Sequence, residues 1–161
     1  MTNRYKRQTD LFNPSEHSAT RVTVIGLGNI GSHTTLALAR MGLSQFRLID
    51  FDTVEEHNLA SQSYTPHDID TLKTDALAAQ IAAINSAAQV ELHPVPFLST
   101  ELEYTDSDIV IVAVDSLETR RDIASVLPSN VLVIDGRMGG GQIEAYIMAA
   151  SDWPDTIPSE A

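Results

Sequence analysis

The sequence predicts an α/β domain, doubly wound around a mostly parallel sheet, and three observations carry that expectation. Apolar, β-branched runs alternate with segments of helical period; a glycine-rich turn joins the first run to the first helix; and Asp108-Ile-Val-Ile-Val-Ala-Val114 is continuous enough to lie buried on both faces. At 161 residues there is room for one such core and not for two, so residues 1–161 are read as a single domain.

Each element has a local reason. Arg21-Val-Thr-Val-Ile-Gly26 is an apolar run stopped by glycine and reads as a buried strand. A helix follows from about Ile30 to Met41, with Gly42 at the C-cap. Phe46 to Phe51 is the second strand, and the polar stretch from Asp52 to Thr71, with Pro66, is a long loop with room for a short helix. Thr71 caps a helix to Ile84 whose Leu72, Leu77, Ile81 and Ile84 form a buried stripe. Gln89 to His93 alternates like a half-exposed strand, the 108–114 run is a central strand, and Ser116 caps a helix to about Leu127. Asn130 to Asp135 is a further strand, and Gln142 to Met148 is the last, after Gly139-Gly140-Gly141. The tail from Ser151, with Pro154 and Pro158, is expected to be loosely ordered.

Composition narrows the function classes. No apolar run is long enough to cross a bilayer and no secretory leader is visible, so a cytoplasmic protein is expected. The absence of cysteine excludes disulfides, thiolate zinc sites and a thiol nucleophile within these residues. A net charge of −12 argues against nucleic-acid binding, which needs an excess of Lys and Arg. Residues 1–47 nevertheless hold six basic residues against two acidic ones. The five histidines show no metal-ligand spacing and read as surface or loop residues.

Gly26-Leu-Gly28-Asn29-Ile-Gly31 lies between the first strand and the first helix, the context that gives G-x-G-x-x-G its meaning. The first glycine permits the turn, the second lets a phosphate approach the backbone, and the third lets helix and strand pack closely. Amides at the helix start then face an anion, and Asp50, 22 residues after Gly28, is placed to accept from a ribose hydroxyl. This is a Rossmann-like nucleotide site, and to this point an NAD-dependent oxidoreductase explains it as well as an ATP-binding protein does.

Four further segments separate the two. Asp50-Phe-Asp52-Thr-Val-Glu-Glu-His-Asn58-Leu-Ala-Ser-Gln62 closely resembles the D-x-D-x-V-x-x-x-N-L-x-R-Q signature of the ThiF/MoeB/HesA superfamily, the adenylating enzymes related to ubiquitin-activating enzyme. Arg4-Tyr-Lys-Arg7-Gln8 is similar to its R-Y-x-R-Q element, Lys73 falls at the position of its lysine, and Asp115-Ser-Leu-Glu-Thr-Arg120 resembles its D-N-x-x-x-R segment. The resemblance covers residues 4 to 148 and implies a ThiF-type fold that uses ATP and Mg2+ to adenylate the C-terminal carboxylate of a small ubiquitin-like or sulfur-carrier protein ending in Gly-Gly. It implies a homodimer or heterodimer, in which Arg7 reaches the neighbouring active site; a solvated terminus is the other reading of Arg7.

Carried over residue by residue, the resemblance makes Arg7, Lys73 and Asp115 catalytic, with Asp115 on the metal. Gly26, Gly28, Asn29, Gly31, Asp50, Asp52, Asn58, Gln62, Lys73 and Ser116 become nucleotide-binding. Several alternatives stay open. Lys73 sits on the first turn of a helix, where a solvated lysine is ordinary; Asp115 or Ser116 can cap the helix that follows; Asp52 is a second metal ligand or a loop-ordering residue; Asn58 contacts phosphates or holds its loop. Arg120 is expected to pair structurally with an acid.

The sequence also departs from the pattern. Ser61 stands where the signature has arginine and cannot supply its planar, charged fork, a gap that Arg137 is a candidate to fill. These residues stop short of the family's C-terminal extension and hold no cysteine, as a truncated domain, a divergent short form or a degenerate relative would; a catalytically inactive, nucleotide-binding subunit of a heteromeric enzyme is the second reading and an NAD-dependent oxidoreductase the third.

Overall fold

The apolar runs become strands β1 (Arg21–Ile25), β2 (Gln45–Ile49), β3 (Gln89–His93), β4 (Asp108–Val112), β5 (Leu132–Gly139) and β6 (Gln142–Ala149). The helical segments become α1 (Asn29–Met41), α2 (Lys73–Ile84) and α3 (Leu117–Val126). The computed structural model describes residues 3–100, 102–103, 108–139 and 141–158. The strands form one sheet in the order β3-β2-β1-β4-β5-β6, parallel throughout except for β6, which runs antiparallel to β5. The doubly wound expectation is met.

Alternation along the strands divides the core between two faces. Val22 and Val24 of β1 pack with Leu36, Leu48, Leu77 and Ile81 on the α1–α2 side. Ile25 and Ile49 pack with Val110, Val112, Ile123 and Trp153 on the α3 side. Helices run back against the strands, so the starts of α1 and α3 both lie at the carboxyl edge of the sheet. Between β1 and β4 the chain leaves in opposite directions, and a crevice opens there.

Three local expectations change, while the long loop keeps its expected character with short helical turns. Thr71 does not cap α2: its carbonyl accepts from Val54 N (2.8 Å) while Lys73 N donates to the Asp52 carbonyl (2.9 Å), so this segment is held by an antiparallel bridge and Leu72 becomes the N-cap. The long loop holds two 3-10 turns, Glu56–Ala60 and Pro66–Asp68. β5 runs four residues past Asp135 because β6 pairs with it up to Gly139↔Gln142, which puts Gly141, at a φ of 81°, in a hairpin tip; residue 140 lies outside the described residues. The tail is ordered through Pro158, since Trp153 is fully buried and begins a 3-10 turn to Thr156.

The basic N-terminus is ordered as well. Gln8 Nε2 donates to the Met41 carbonyl (2.6 Å) and the Arg4 guanidinium to the Ile84 carbonyl, at the C-terminal ends of α1 and α2. Those ends lie at the edge of the sheet away from the crevice.

Candidate functional site

The glycine turn is built by close approach. A Cβ on Gly31 would lie 1.9 Å from the Gly26 carbonyl oxygen, and one on Gly26, whose φ is 87°, would lie 2.8 Å from the Ala113 carbonyl oxygen. Neither position tolerates a side chain. A Cβ on Gly28 would meet nothing within 4 Å, and Gly28 is the N-cap of α1 with no side chain satisfying the helix's first amides. The turn therefore presents free N–H groups and the positive end of a 13-residue helix to open space.

The Leu27 peptide is gripped from both sides. Its N–H donates to Asp50 Oδ2 (2.6 Å) and its carbonyl accepts from the Tyr64 hydroxyl (2.8 Å). Asp50 Oδ1 accepts from Asp52 N (2.9 Å). Asp50 is buried, and desolvation raises its pKa above the ordinary carboxylate value against the opposing effect of those two amides and of Lys73. Each carboxylate oxygen keeps a second lone pair for a ligand hydroxyl.

These groups open onto one cavity of about 740 Å³ at the carboxyl edge of the sheet. Gly26, Gly28, Asn29, Asp50, Asp52, Gln62, Lys73 and Asp115 all line it. Lys73 Nζ is buried and bound to Asp52 at 2.7 Å, while Asp52 is 50% exposed, so Lys73 is neither solvated nor free. Gln62 Oε1 is buried and has no partner among the described residues. Asp115 is exposed at the end of the chain segment leaving β4 and makes no hydrogen bond or ion pair with a described residue. A single free carboxylate opening onto the cavity fits a magnesium ion that keeps several waters.

Other residues singled out in the sequence lie off the cavity wall. Gly31 packs beneath the turn, outside the cavity lining. Ser116 accepts from Thr119 N (3.1 Å) as the N-cap of α3 and is not on the cavity wall, so the capping role falls to it and leaves Asp115 open. Asn58 is buried off the cavity, where its Oδ1 accepts from Glu55 N (3.0 Å) and holds the loop. Arg7 is exposed at the far edge and does not line this chain's cavity.

On the α3 side sits a charged cluster. Asp135, fully buried, accepts at Oδ2 from Arg137 Nε (2.8 Å), Arg137 Nη2 (2.6 Å) and Trp153 Nε1 (2.8 Å). Arg120 pairs with Asp135 as expected, Nη1 lying 3.4 Å from Oδ1, and donates from Nη2 to the Gly136 carbonyl (3.0 Å). Arg137 also donates to the Thr156 carbonyl (2.7 Å) and hydroxyl (2.9 Å). It is thus tied to the tail and cannot swing to the position of the missing arginine. Sequence reasoning foresaw an acid for Arg120 but neither that Asp135 is that acid, nor the Arg137 and Trp153 contacts to it, nor the Tyr64 contact; only the i, i+2 spacing of Asp135 and Arg137 on one strand face signalled the cluster.

The wall carries five carboxylates (Asp50, Asp52, Asp115, Asp122, Glu144) against three cations (Lys73, Arg120, Arg137). A polyphosphate entering it needs a divalent cation to offset the repulsion.

Comparison with known proteins agrees with this geometry. The ThiF family profile matches residues 5–142. The chain is 34% identical over 104 residues to the probable adenylyltransferase/sulfurtransferase MoeZ of Mycobacterium tuberculosis, covering 62% of this chain and 26% of the relative. It is 31% identical over 144 residues to the tRNA threonylcarbamoyladenosine dehydratase of Haemophilus influenzae (84% and 54%) and 30% identical over 125 residues to ubiquitin-like modifier-activating enzyme 5 of Drosophila virilis (69% and 31%). The chain thus spans between a quarter and about half of these relatives. Among solved structures, E. coli TcdA superposes with a TM-score of 0.72 at 26% identity, covering 88% of this chain and 62% of that one. E. coli MccB with ATP gives 0.72 at 21% identity, covering 85% and 45%, a likeness of fold. No helix among the described residues is long and apolar enough to cross a membrane.

Proposed function

Because the chain belongs to the ThiF family, we propose that its cavity binds ATP with magnesium and transfers AMP to the C-terminal carboxylate of a small ubiquitin-like or sulfur-carrier protein ending in Gly-Gly. One observation carries the proposal: the uncapped glycine turn, Asp50, Lys73 and Asp115 line the same cavity at the sheet's switch point. The similarity to relatives named as an adenylyltransferase/sulfurtransferase and a ubiquitin-like modifier-activating enzyme supports this choice of substrate.

In the reaction a carboxylate oxygen attacks the α-phosphorus, the bond from that phosphorus to the bridging oxygen breaks, and pyrophosphate leaves with the electron pair. Amides of the turn and of α1 hold phosphate oxygens, Asp50 holds the ribose, and Lys73, released from Asp52, meets charge growing on the phosphates. Asp115 would hold the magnesium, which offsets charge on the phosphate oxygens. Arg7 is exposed and does not line its own cavity, and in a homodimer or heterodimer its part in catalysis would fall in the cavity of the second subunit.

The test is carrier-dependent ATP–pyrophosphate exchange that requires magnesium and is lost in Lys73→Ala and Asp115→Ala. Absence of exchange with every carrier tried, in folded protein, would favour a nucleotide-binding subunit without catalysis. That second reading draws on Ser61 at the arginine position and on Arg137 being held by Asp135 and Thr156. Calorimetric titration with ATP and NAD in parallel separates both from an oxidoreductase, which requires a preference for NAD.

A further inference from the structure

We propose that Arg120 and Arg137, which share the one buried carboxylate of Asp135, form the subsite that holds the substrate's reacting carboxylate; this rests on the adenylation reading above. Both arginines line the cavity, on the α3 side of the sheet, while the phosphate-binding turn and α1 stand on the other side of the switch point. The reaction has to bring two anions together. A cavity with separate positive groups on its two sides can hold each anion by its own partners and let them meet over the sheet edge.

The charge of the cluster points the same way. Two guanidinium groups contact the single buried carboxylate of Asp135, and neither has a second acid within ion-pair distance among the described residues, an arrangement that an incoming anion would complete. Arg120, 4% exposed, has at Nη1 no hydrogen-bond partner. Four of the five N–H groups of Arg137 are engaged, by Asp135 and by Thr156, and its guanidinium lies 4.3 Å from the Tyr146 ring centroid, so the group is fixed with one donor left. Of the acids on the same wall, Glu144 accepts from the Tyr146 hydroxyl (3.0 Å), and none of Glu144, Asp115 and Asp122 takes up the Nη1 hydrogens of Arg120, whose nearest acid, Asp135 Oδ1, lies 3.4 Å away without a hydrogen bond. Arg137 is the group that meets the carboxylate; Arg120 adds charge from behind and is a positioning residue.

The experiment is calorimetry on protein loaded with magnesium and α,β-methylene ATP, titrated with a peptide ending in Gly-Gly as the free acid and as the C-terminal amide. Wild type should prefer the acid by about tenfold, the size of one charge-assisted contact. Arg137→Gln should abolish that preference while changing affinity for the ATP analogue by less than about twofold, as for separate sites. Arg137→Lys, which keeps a cation beside Asp135 and so guards against misfolding, should lose most of the preference because an ammonium bound to Asp135 does not hold a second donor fixed toward the cavity. Equal binding of acid and amide by wild type would overturn the inference, as would analogue affinity falling in step with the acid preference in both variants. A wild type that binds no ATP analogue would instead sink the adenylation reading on which this one rests.

Discussion

Asp50, just beyond β2 on the cavity wall, and Asp135, in the middle of β5 and off that wall, are both buried carboxylates, the first held by backbone amides and the second by ion pairs and an indole N–H. Amides bring only partial charges, so burial still raises the Asp50 pKa, and what the residue gains is a fixed loop rather than full compensation. Asp135 instead joins α3, β5 and the C-terminal turn through Arg120, Arg137 and Trp153. One aspartate shapes a ligand site; the other ties elements together.

Removing charge should expose that difference most at Asp135. Asp135→Asn keeps the volume but strands two guanidinium groups, and should cost about 3–5 kcal/mol of stability in urea unfolding. A loss below about 1 kcal/mol, the ordinary range of a single hydrogen bond, would show that the ion pairs do not hold these elements. On the loop side the larger effect is on chemistry: Lys73→Ala should slow exchange by about 100-fold or more, the size of one lost transition-state donor, with the fold intact by circular dichroism. Tyr64→Phe tests the other grip on Leu27. It leaves the Leu27 carbonyl unsatisfied at 2.8 Å from where the hydroxyl was, and should cost about 1 kcal/mol of stability together with a weaker ATP affinity by calorimetry.

The smallest expected effect is a pH dependence. Asp50 binds its proton more tightly folded than unfolded, so its contribution to stability is greatest below the unfolded pKa and declines as pH rises through the raised folded value. Unfolding free energies measured from about pH 4 to about pH 7 should show that decline in wild type and a flatter curve in Asp50→Asn. Identical curves would mean that the amides offset the burial completely.

Much of this was legible in the sequence because it is local or periodic. The glycine turn, the Ser116 cap and the Gly42 stop are set by neighbouring residues, and the 108–114 run could only be a buried strand. The lysine, Asp50 and Asp115 were found through spaced motifs, and the cavity brings all three together. Thr71 misled because a bridge to residue 53 outweighed capping preference. The tail misled because its prolines suggest disorder, whereas Trp153 has the buried carboxylate of Asp135 to donate to and a core to fill.

The sequence by itself determined the order of strands and helices, the glycine turn and the family, since each depends on residues close along the chain or on fixed spacings. Only the tertiary structure decided which charges are free. Lys73 is bound by Asp52, Asn58 is used by its own loop, Arg137 is held by the tail, and Asp115 is left open, because partners 2 to 21 residues apart meet only when the sheet and loops have packed. A hydrogen bond needs its two atoms within about 3 Å, and no linear pattern sets that distance between side chains on different elements.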